Sequence, residues 1–284
     1  MGRIVGVRYL VGSAYKEFKS QGVKETVVLT RSYLGNLWFP VASDETVRRF
    51  RLGQKLSATL NHTVRYGPFK GVQLSDNSWW GAADRGSMLL GIYEKEVLEA
   101  LVELSSGRST FIDVGAADGY YAVGAIRSGY FDNAYCFEIS EDGRGAIRAN
   151  AKRNRIEDRI HIYGKAEEGF FDVLLEDFDI DLGSTVLLMD IEGAEFEILK
   201  DFEFEKIQHC ALIIEVHDWE APTDFGLVEL VRKAERYFNV VWLETGSRDL
   251  SRFQELTDWP DDDRWILCSE GRRQVMKWMV LTPN

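Results

Sequence analysis

The chain has 284 residues, 45% of them hydrophobic and 12% aromatic, which supports a sizeable core and argues against a disordered or low-complexity protein. Its 34 basic and 46 acidic residues leave a net charge of -12, so phosphate backbones and anionic membrane surfaces are disfavoured as partners. At roughly 150 residues per domain, one large domain or two small ones fit this length.

No membrane span is expected. Asp190 and Glu215 stop the apolar runs at 186–189 and 211–214, well below the ~20 residues a spanning helix needs. Arg3 and Arg8 break up the N-terminal apolar residues, against a secretory signal. Cys136, Cys210 and Cys268 have neither metal-ligand nor redox-pair spacing and lie in or beside apolar runs. They read as buried free thiols of a reducing, cytoplasmic setting.

Residues 1–86 are expected to form a β-rich extension. Strand-like runs at 23–30, 37–42, 56–64 and 69–74 are separated by turn residues such as Gly35, Gly53 and Gly67-Pro68. Its aromatics, Trp38, Trp79 and Trp80 among them, are read as core. Three roles stay open for it: a cover for the site, the contact of a homo-oligomer, or substrate selection. From 87 to 284 a second domain is expected. Val97, Leu98, Leu101, Val102 and Leu104 recur at helical spacing, with Ser87 as a candidate cap. Strands at 110–114, 134–139, 159–163, 185–191, 210–216, 239–243 and 264–269 then alternate with helices at 120–126, 145–153, 195–201 and 227–237. Short apolar strands alternating with helices indicate an α/β fold, a doubly wound and mostly parallel sheet covered on both faces. Such sheets bind ligands beyond the carboxyl ends of their strands.

After the first strand comes Asp113-Val114-Gly115-Ala116-Ala117-Asp118-Gly119. Its glycines permit a tight turn and close approach of a ligand to the main chain. A nicotinamide fingerprint is absent, because Ala117 and Tyr120 stand where G-x-G-x-x-G needs glycine. Glu138, 19 residues beyond Gly119, ends the second strand, where an acid can accept hydrogen bonds from both hydroxyls of a ribose. Gly164-Lys165-Ala166-Glu167 follows the third strand and can line an adenine pocket. Asp190-Ile191-Glu192-Gly193-Ala194-Glu195 follows the fourth, and crowded acids of this kind call for a sulfonium, an ammonium or a divalent metal. His217, the histidine at a carboxyl-end position, follows the fifth strand and is a candidate general base.

These residues resemble the FkbM-like family of class I S-adenosylmethionine-dependent methyltransferases. The likeness covers roughly 87–245 and is carried by Gly91-Ile92-Tyr93-Glu94, Phe111-Ile112-Asp113-Val114-Gly115-Ala116, Gly119-Tyr120-Tyr121 and Glu138. Its most specific block is Met189-Asp190-Ile191-Glu192-Gly193-Ala194-Glu195, followed by Ile213-Ile214-Glu215-Val216-His217. The resemblance implies a Rossmann-like seven-stranded sheet with an antiparallel last strand, S-adenosyl-L-methionine as cofactor, and O-methylation of a small molecule or sugar. It further implies that Asp113, Gly115, Ala116 and Gly119 hold the methionine part and that Glu138 holds the ribose. Asp190 and Glu94 would face the methionine ammonium. The family commonly has Asn at the place of Ala117, so Asp118 is the candidate replacement for that contact.

For a hydroxyl acceptor, His217 is expected as base, with Asp190 or Glu215 orienting it. The alternatives are a divalent metal on Asp190, Glu215 and His217, acting as a Lewis acid, and a non-catalytic module that binds the cofactor. A DNA amino-methylating enzyme is disfavoured, since the Asp/Asn-Pro-Pro-aromatic block of those enzymes is missing after the fourth strand. The insert 246–263, with Arg248, Arg252 and the acidic stretch 258–263, is a candidate lid.

Overall fold

The computed structural model describes residues 44–284, except 77, 168, 177, 179, 224, 273 and 274 and the side chains of 201 and 202. By its internal contacts the chain divides into Met1–Val47 and Arg48–Asn284, and the account below concerns the second unit. The strands expected at 23–30 and 37–42, and Trp38, lie outside the described residues.

Seven strands form one sheet: β1 (Thr110–Val114), β2 (Asn133–Phe137), β3 (Ile160–Tyr163), β4 (Thr185–Met189), β5 (Ala211–Glu215), β6 (Phe238–Glu244) and β7 (Lys277–Pro283). Their order across the sheet is β3-β2-β1-β4-β5-β7-β6. The pairs among β1 to β5 are parallel, and β7 runs antiparallel between β5 and β6. This is the doubly wound sheet expected. Successive strand residues point to opposite faces. Phe111, Val186, Leu188 and Ile213 enter one buried cluster, while Ile112, Leu187, Met189 and Ile214 enter the other. Both faces are therefore dry, which explains the uninterrupted apolar strands.

Helices α1 (Asp44–Thr59), α2 (Arg85–Leu89), α3 (Lys95–Leu104), α4 (Tyr120–Arg127) and α5 (Glu141–Asn154) precede β3 in the chain. The later ones are α6 (Phe170–Glu176), α7 (Glu195–Ile198), α8 (Asp201–Lys206), α9 (Gly226–Ala234) and α10 (Asp261–Cys268). Leu52 and Leu56 of α1 join the same cluster as Leu98 of α3 and Ile147 of α5. Phe171, Phe204 and Leu230, from α6, α8 and α9, lie in the opposite cluster. The order of strands reverses between β1 and β4, so the carboxyl ends of these two strands open onto a crevice.

Four expectations differ from the structure. Residues 56–64 are not a strand: Leu52 and Leu56, one helical turn apart, carry α1 to Thr59, and Asn61 and His62 end it with left-handed backbone (φ 49° and 56°). Of the strand expected at 69–74 there remains one antiparallel bridge, Thr63 to Gln73. The run 264–269 lies in a helix, because Pro260 and the acids Asp261, Asp262 and Asp263 build the start of α10. Ser87 does not cap α3; it sits inside α2, and its hydroxyl donates to the Asp84 carbonyl.

Among the described residues no helix is long and apolar enough to cross a membrane. All three cysteines are buried free thiols.

Candidate active site

The turn after β1 is built on Gly115, at φ 87°. A Cβ there would lie 1.7 Å from the Asp190 carbonyl oxygen, so the turns after β1 and β4 meet in a way that requires glycine. The Gly115 and Ala116 amides donate to the Phe137 carbonyl (2.9 and 3.1 Å), and the Asp190 amide donates to Val114 (2.9 Å). Ala117 takes left-handed backbone (φ 47°), and its amide donates to Glu138 Oε2 at 2.8 Å. The Ser140 amide donates to Glu138 Oε1 at 2.7 Å. Glu138 thus ties the glycine turn to the loop after β2, and each oxygen keeps a lone pair for a further donor.

Asp113 is buried in β1. Its Oδ2 accepts from the Ala122 amide at 3.2 Å and its Oδ1 has no hydrogen-bond partner. Burial pushes its carboxyl up to about 7, against the Ala122 hydrogen bond and with the help of the charges of Asp190 and Glu138.

A cavity of about 330 Å³ opens at the switch point. Gly115, Glu138, Ala166, Asp190 and Glu192 line it together with the apolar Phe137, Ile139 and Ile191. Of the expected site residues, Gly115, Glu138, Ala166 and Asp190 line this space, whereas Asp113, Ala116 and Gly119 do not. Trp79 and Trp80 also line the cavity and are 45% and 58% exposed, so these two indoles are not core. Asp118 does not line the cavity. Its Oδ1 accepts from the Trp79 amide (2.6 Å) and the Trp80 amide (3.1 Å), and its Oδ2 accepts from the Ser78 hydroxyl (2.6 Å).

At the β4 and β5 end of the crevice, His217 is enclosed by four carboxyl groups. Its amide donates to Glu195 Oε1 at 2.8 Å, and Nδ1 lies 3.2 Å from the same oxygen. Glu195 is fully buried and also accepts from the Gly193 amide at 2.9 Å. On the other side of the ring, Nε2 lies 3.4 Å from Glu192, 3.7 Å from Glu215 and 3.8 Å from Asp190. Burial lowers the His217 pKa, but the Glu195 hydrogen bond and the charges of Asp190, Glu195 and Glu192 outweigh it and leave it raised. Burial, the Asp190 charge and a hydrogen bond to Asp190 push the Glu215 carboxyl upward. Asp190 is raised by burial, and eased downward by Glu215 and by the charge of His217.

Glu94 does not line the cavity: one carboxylate oxygen pairs with Arg272 and the other accepts from the Tyr121 hydroxyl. Arg272 also donates to Glu215 at 2.8 Å and to Glu270 at 3.1 Å. Neither Arg272 nor Glu270 was singled out in the sequence, because both stand in the tail beyond the recognisable motifs. The insert 246–263 does not line the cavity. Leu250, Phe253 and Leu256 bury it in the core, and Arg248 ties it to Glu96 (2.8 and 3.0 Å) and Glu270 (2.9 Å).

No protein-family model matches the chain, and no curated protein matches it. Among solved structures it is similar to the ribosomal protein L11 methylase of Lactobacillus delbrueckii subsp. bulgaricus (16% identity, 75% of this chain and 86% of that one, TM-score 0.44). It is similar to a Streptococcus pneumoniae protein solved in complex with S-adenosyl-L-methionine (13% identity, 66% and 72%, TM-score 0.44). A precorrin-6y C5,15-methyltransferase of Geobacter metallireducens is similar at 12% identity, 67% and 89% coverage and TM-score 0.42. At such distances the assignment of function rests on this chain's own residues.

Proposed function

We propose that the protein is an S-adenosyl-L-methionine-dependent methyltransferase that acts on a hydroxyl of a small molecule or sugar. The observation that carries this reading is the pairing of Glu138 and Asp190 across one cavity, joined by a turn in which only Gly115 fits. The fit to the cofactor is good on three counts. Glu138 keeps acceptor capacity toward a ribose diol, the cavity volume is in the range of small-molecule sites, and the surrounding acids suit a ligand with a sulfonium and an ammonium. When bound there, the cofactor would supply an electrophilic methyl, the sulfur keeping the pair of the broken S–C bond as the acceptor's O–C bond forms.

Within this reading the chain's residues chiefly position the reactants. Glu138 orients the nucleoside, the turn 115–119 gives a backbone cradle, and the indoles of Trp79 and Trp80 exclude water from above. Asp190 and His217 mark the acceptor end. With Nδ1 fixed on Glu195, His217 can receive a hydroxyl proton only through Nε2, and the raised pKa makes it a stronger base that is more often already protonated.

Calorimetry with S-adenosylhomocysteine and with NAD tests the reading. Saturable binding of the former, weakened at least tenfold in Glu138→Gln, supports it; tight NAD binding without S-adenosylhomocysteine binding would overturn it. Methyl transfer from labelled cofactor to a panel of hydroxylated acceptors separates an enzyme from a binding module.

A further inference from the structure

Nδ1 of His217 is engaged by Glu195, which directs the lone pair of a neutral imidazole to Nε2. His217 is 1% exposed, and among the described residues its Nε2 makes no hydrogen bond; the Glu192, Glu215 and Asp190 oxygens at 3.4 to 3.8 Å surround it. Asp190 Oδ1, aimed at the same point, is likewise buried and without a hydrogen-bond partner. Donor atoms of Asp190, Glu192 and His217 all lie within 4.8 Å of one another. Two carboxylate oxygens and one imidazole nitrogen thus converge on a space that, among the described residues, no donor fills.

We propose that Asp190, Glu192 and His217 bind a divalent transition-metal cation at the edge of the cavity. A cation about 2.0–2.6 Å from each donor would take the place of the three long contacts, with small rotations of the side chains. One nitrogen and two oxygens suit Mn²⁺ and its first-row neighbours better than Ca²⁺ or Mg²⁺, which favour oxygen alone. Glu195 then has the supporting role usual beside a metal-bound histidine, a carboxylate on the far ring nitrogen that fixes tautomer and ring orientation. Glu215 is paired with Arg272 at 2.8 Å, so it stands behind the ligands and is not one of them. This differs from the set of Asp190, Glu215 and His217 that strand-end positions alone suggest, with Glu192 in place of Glu215. Asp190 and Glu192 both line the cavity.

The catalytic role rests on the methyltransferase reading above, whereas the site itself does not. In that role the cation would supply Lewis-acid chemistry, lowering the pKa of an acceptor hydroxyl whose proton would pass to solvent water, and His217, with Nε2 on the cation, would be a ligand and not the base.

The test is a titration of the full chain, stripped with EDTA, with Mn²⁺ alone, following free Mn²⁺ by electron paramagnetic resonance. One bound ion per chain is expected, weakened at least tenfold in Glu192→Gln and unchanged in Glu197→Gln, an exposed acid outside the set. Glu192 is itself exposed, and circular dichroism confirms that its variant folds. No stoichiometric binding, or binding indifferent to Glu192→Gln, overturns the proposal. S-adenosylhomocysteine calorimetry on the same samples keeps the two readings apart: Mn²⁺ bound without nucleoside affinity sinks the methyltransferase and leaves the metal site standing.

Discussion

Asp118 holds Trp79 from across the glycine turn, accepting its backbone N–H at 2.6 Å, and with the same carboxylate it holds Trp80 and the Ser78 hydroxyl. The acid in the β1 turn is thereby a brace for two exposed indoles over the cavity. The Asn150 side chain completes the link, donating to the Asp118 carbonyl at 2.8 Å and accepting from the Ser75 amide at 2.6 Å. Hydrogen bonds to a charged acceptor contribute about 1.5–3 kcal/mol each at most. Asp118→Ala is expected to free the 78–80 segment and weaken S-adenosylhomocysteine binding about tenfold, while Trp79→Ala, which keeps the brace, weakens it through lost contact. Tryptophan emission in Trp79→Ala and Trp80→Ala, with and without nucleoside, checks this. Equal ligand-induced changes in the parent and both variants would remove the indoles from the site.

Gly115→Ala is expected to be severe. The position is at φ 87° and a methyl group would press on the Asp190 carbonyl oxygen. Left-handed backbone costs a non-glycine residue about 1–2 kcal/mol, and the clash adds to it. A loss of more than about 2 kcal/mol in urea unfolding is expected, together with loss of nucleoside binding, since the β1 and β4 turns must separate. Gly145→Ala, on an open face of α5 with nothing near its missing Cβ, is the matched control: it should be no less stable than the parent and up to about 1 kcal/mol more so, since alanine is the better helix former.

The sheet was legible in the sequence because its strands are buried on both faces, and an apolar run bounded by Gly, Asp and Glu admits few other readings. Gly115, Glu138 and Asp190 were legible for a related reason: each stands one step beyond such a run, where this topology gathers ligands. The run at 264–269 was misread because four apolar residues in a row fit a buried strand or a helix equally, and the deciding signal, Pro260 with three acids, lies before it. The strands expected at 56–64 and 69–74 failed through tertiary packing. Phe69, for instance, is fixed against α4 at Gly124, where a Cβ would lie 2.3 Å from its ring. Arg272, the brace on Trp79 and the approach of Glu192 and Glu195 to His217 are contacts across long stretches of chain, which no local spacing encodes.

Asp113 is expected to make stability fall with rising pH. Its folded-state pKa of about 7 stands above the ordinary 3.8, so the folded chain holds this proton more tightly than the unfolded one. The sign follows: the penalty is absent below the unfolded value, grows as pH rises past it, and levels off above about 7. The linkage amounts to at most about 4 kcal/mol, with relaxation reducing it. Asp113→Asn removes the titration, so its stability relative to the parent should improve between about pH 5 and pH 8 in urea unfolding. A constant difference across that range would show that Asp113 ionises in the fold as readily as in the open chain.

Arg272 joins three buried acids: Glu94, Glu215 and Glu270 are each no more than 6% exposed in their side chains, and Arg248 also pairs with Glu270. Removing one partner of a buried ion pair costs about 3–5 kcal/mol, chiefly because the remaining charge is stranded. Arg272→Met is therefore expected to unfold at much lower urea than the parent at pH 8. The deficit should shrink toward pH 5, where burial lets Glu270, already raised, take up a proton. Arg272→Lys should recover only part of the loss, since one ammonium cannot reproduce the planar fork that spans three carboxylates. If Arg272→Met were as stable as the parent at pH 8, the three acids must already be neutral in the fold, and the guanidinium would be a surface group lying over them.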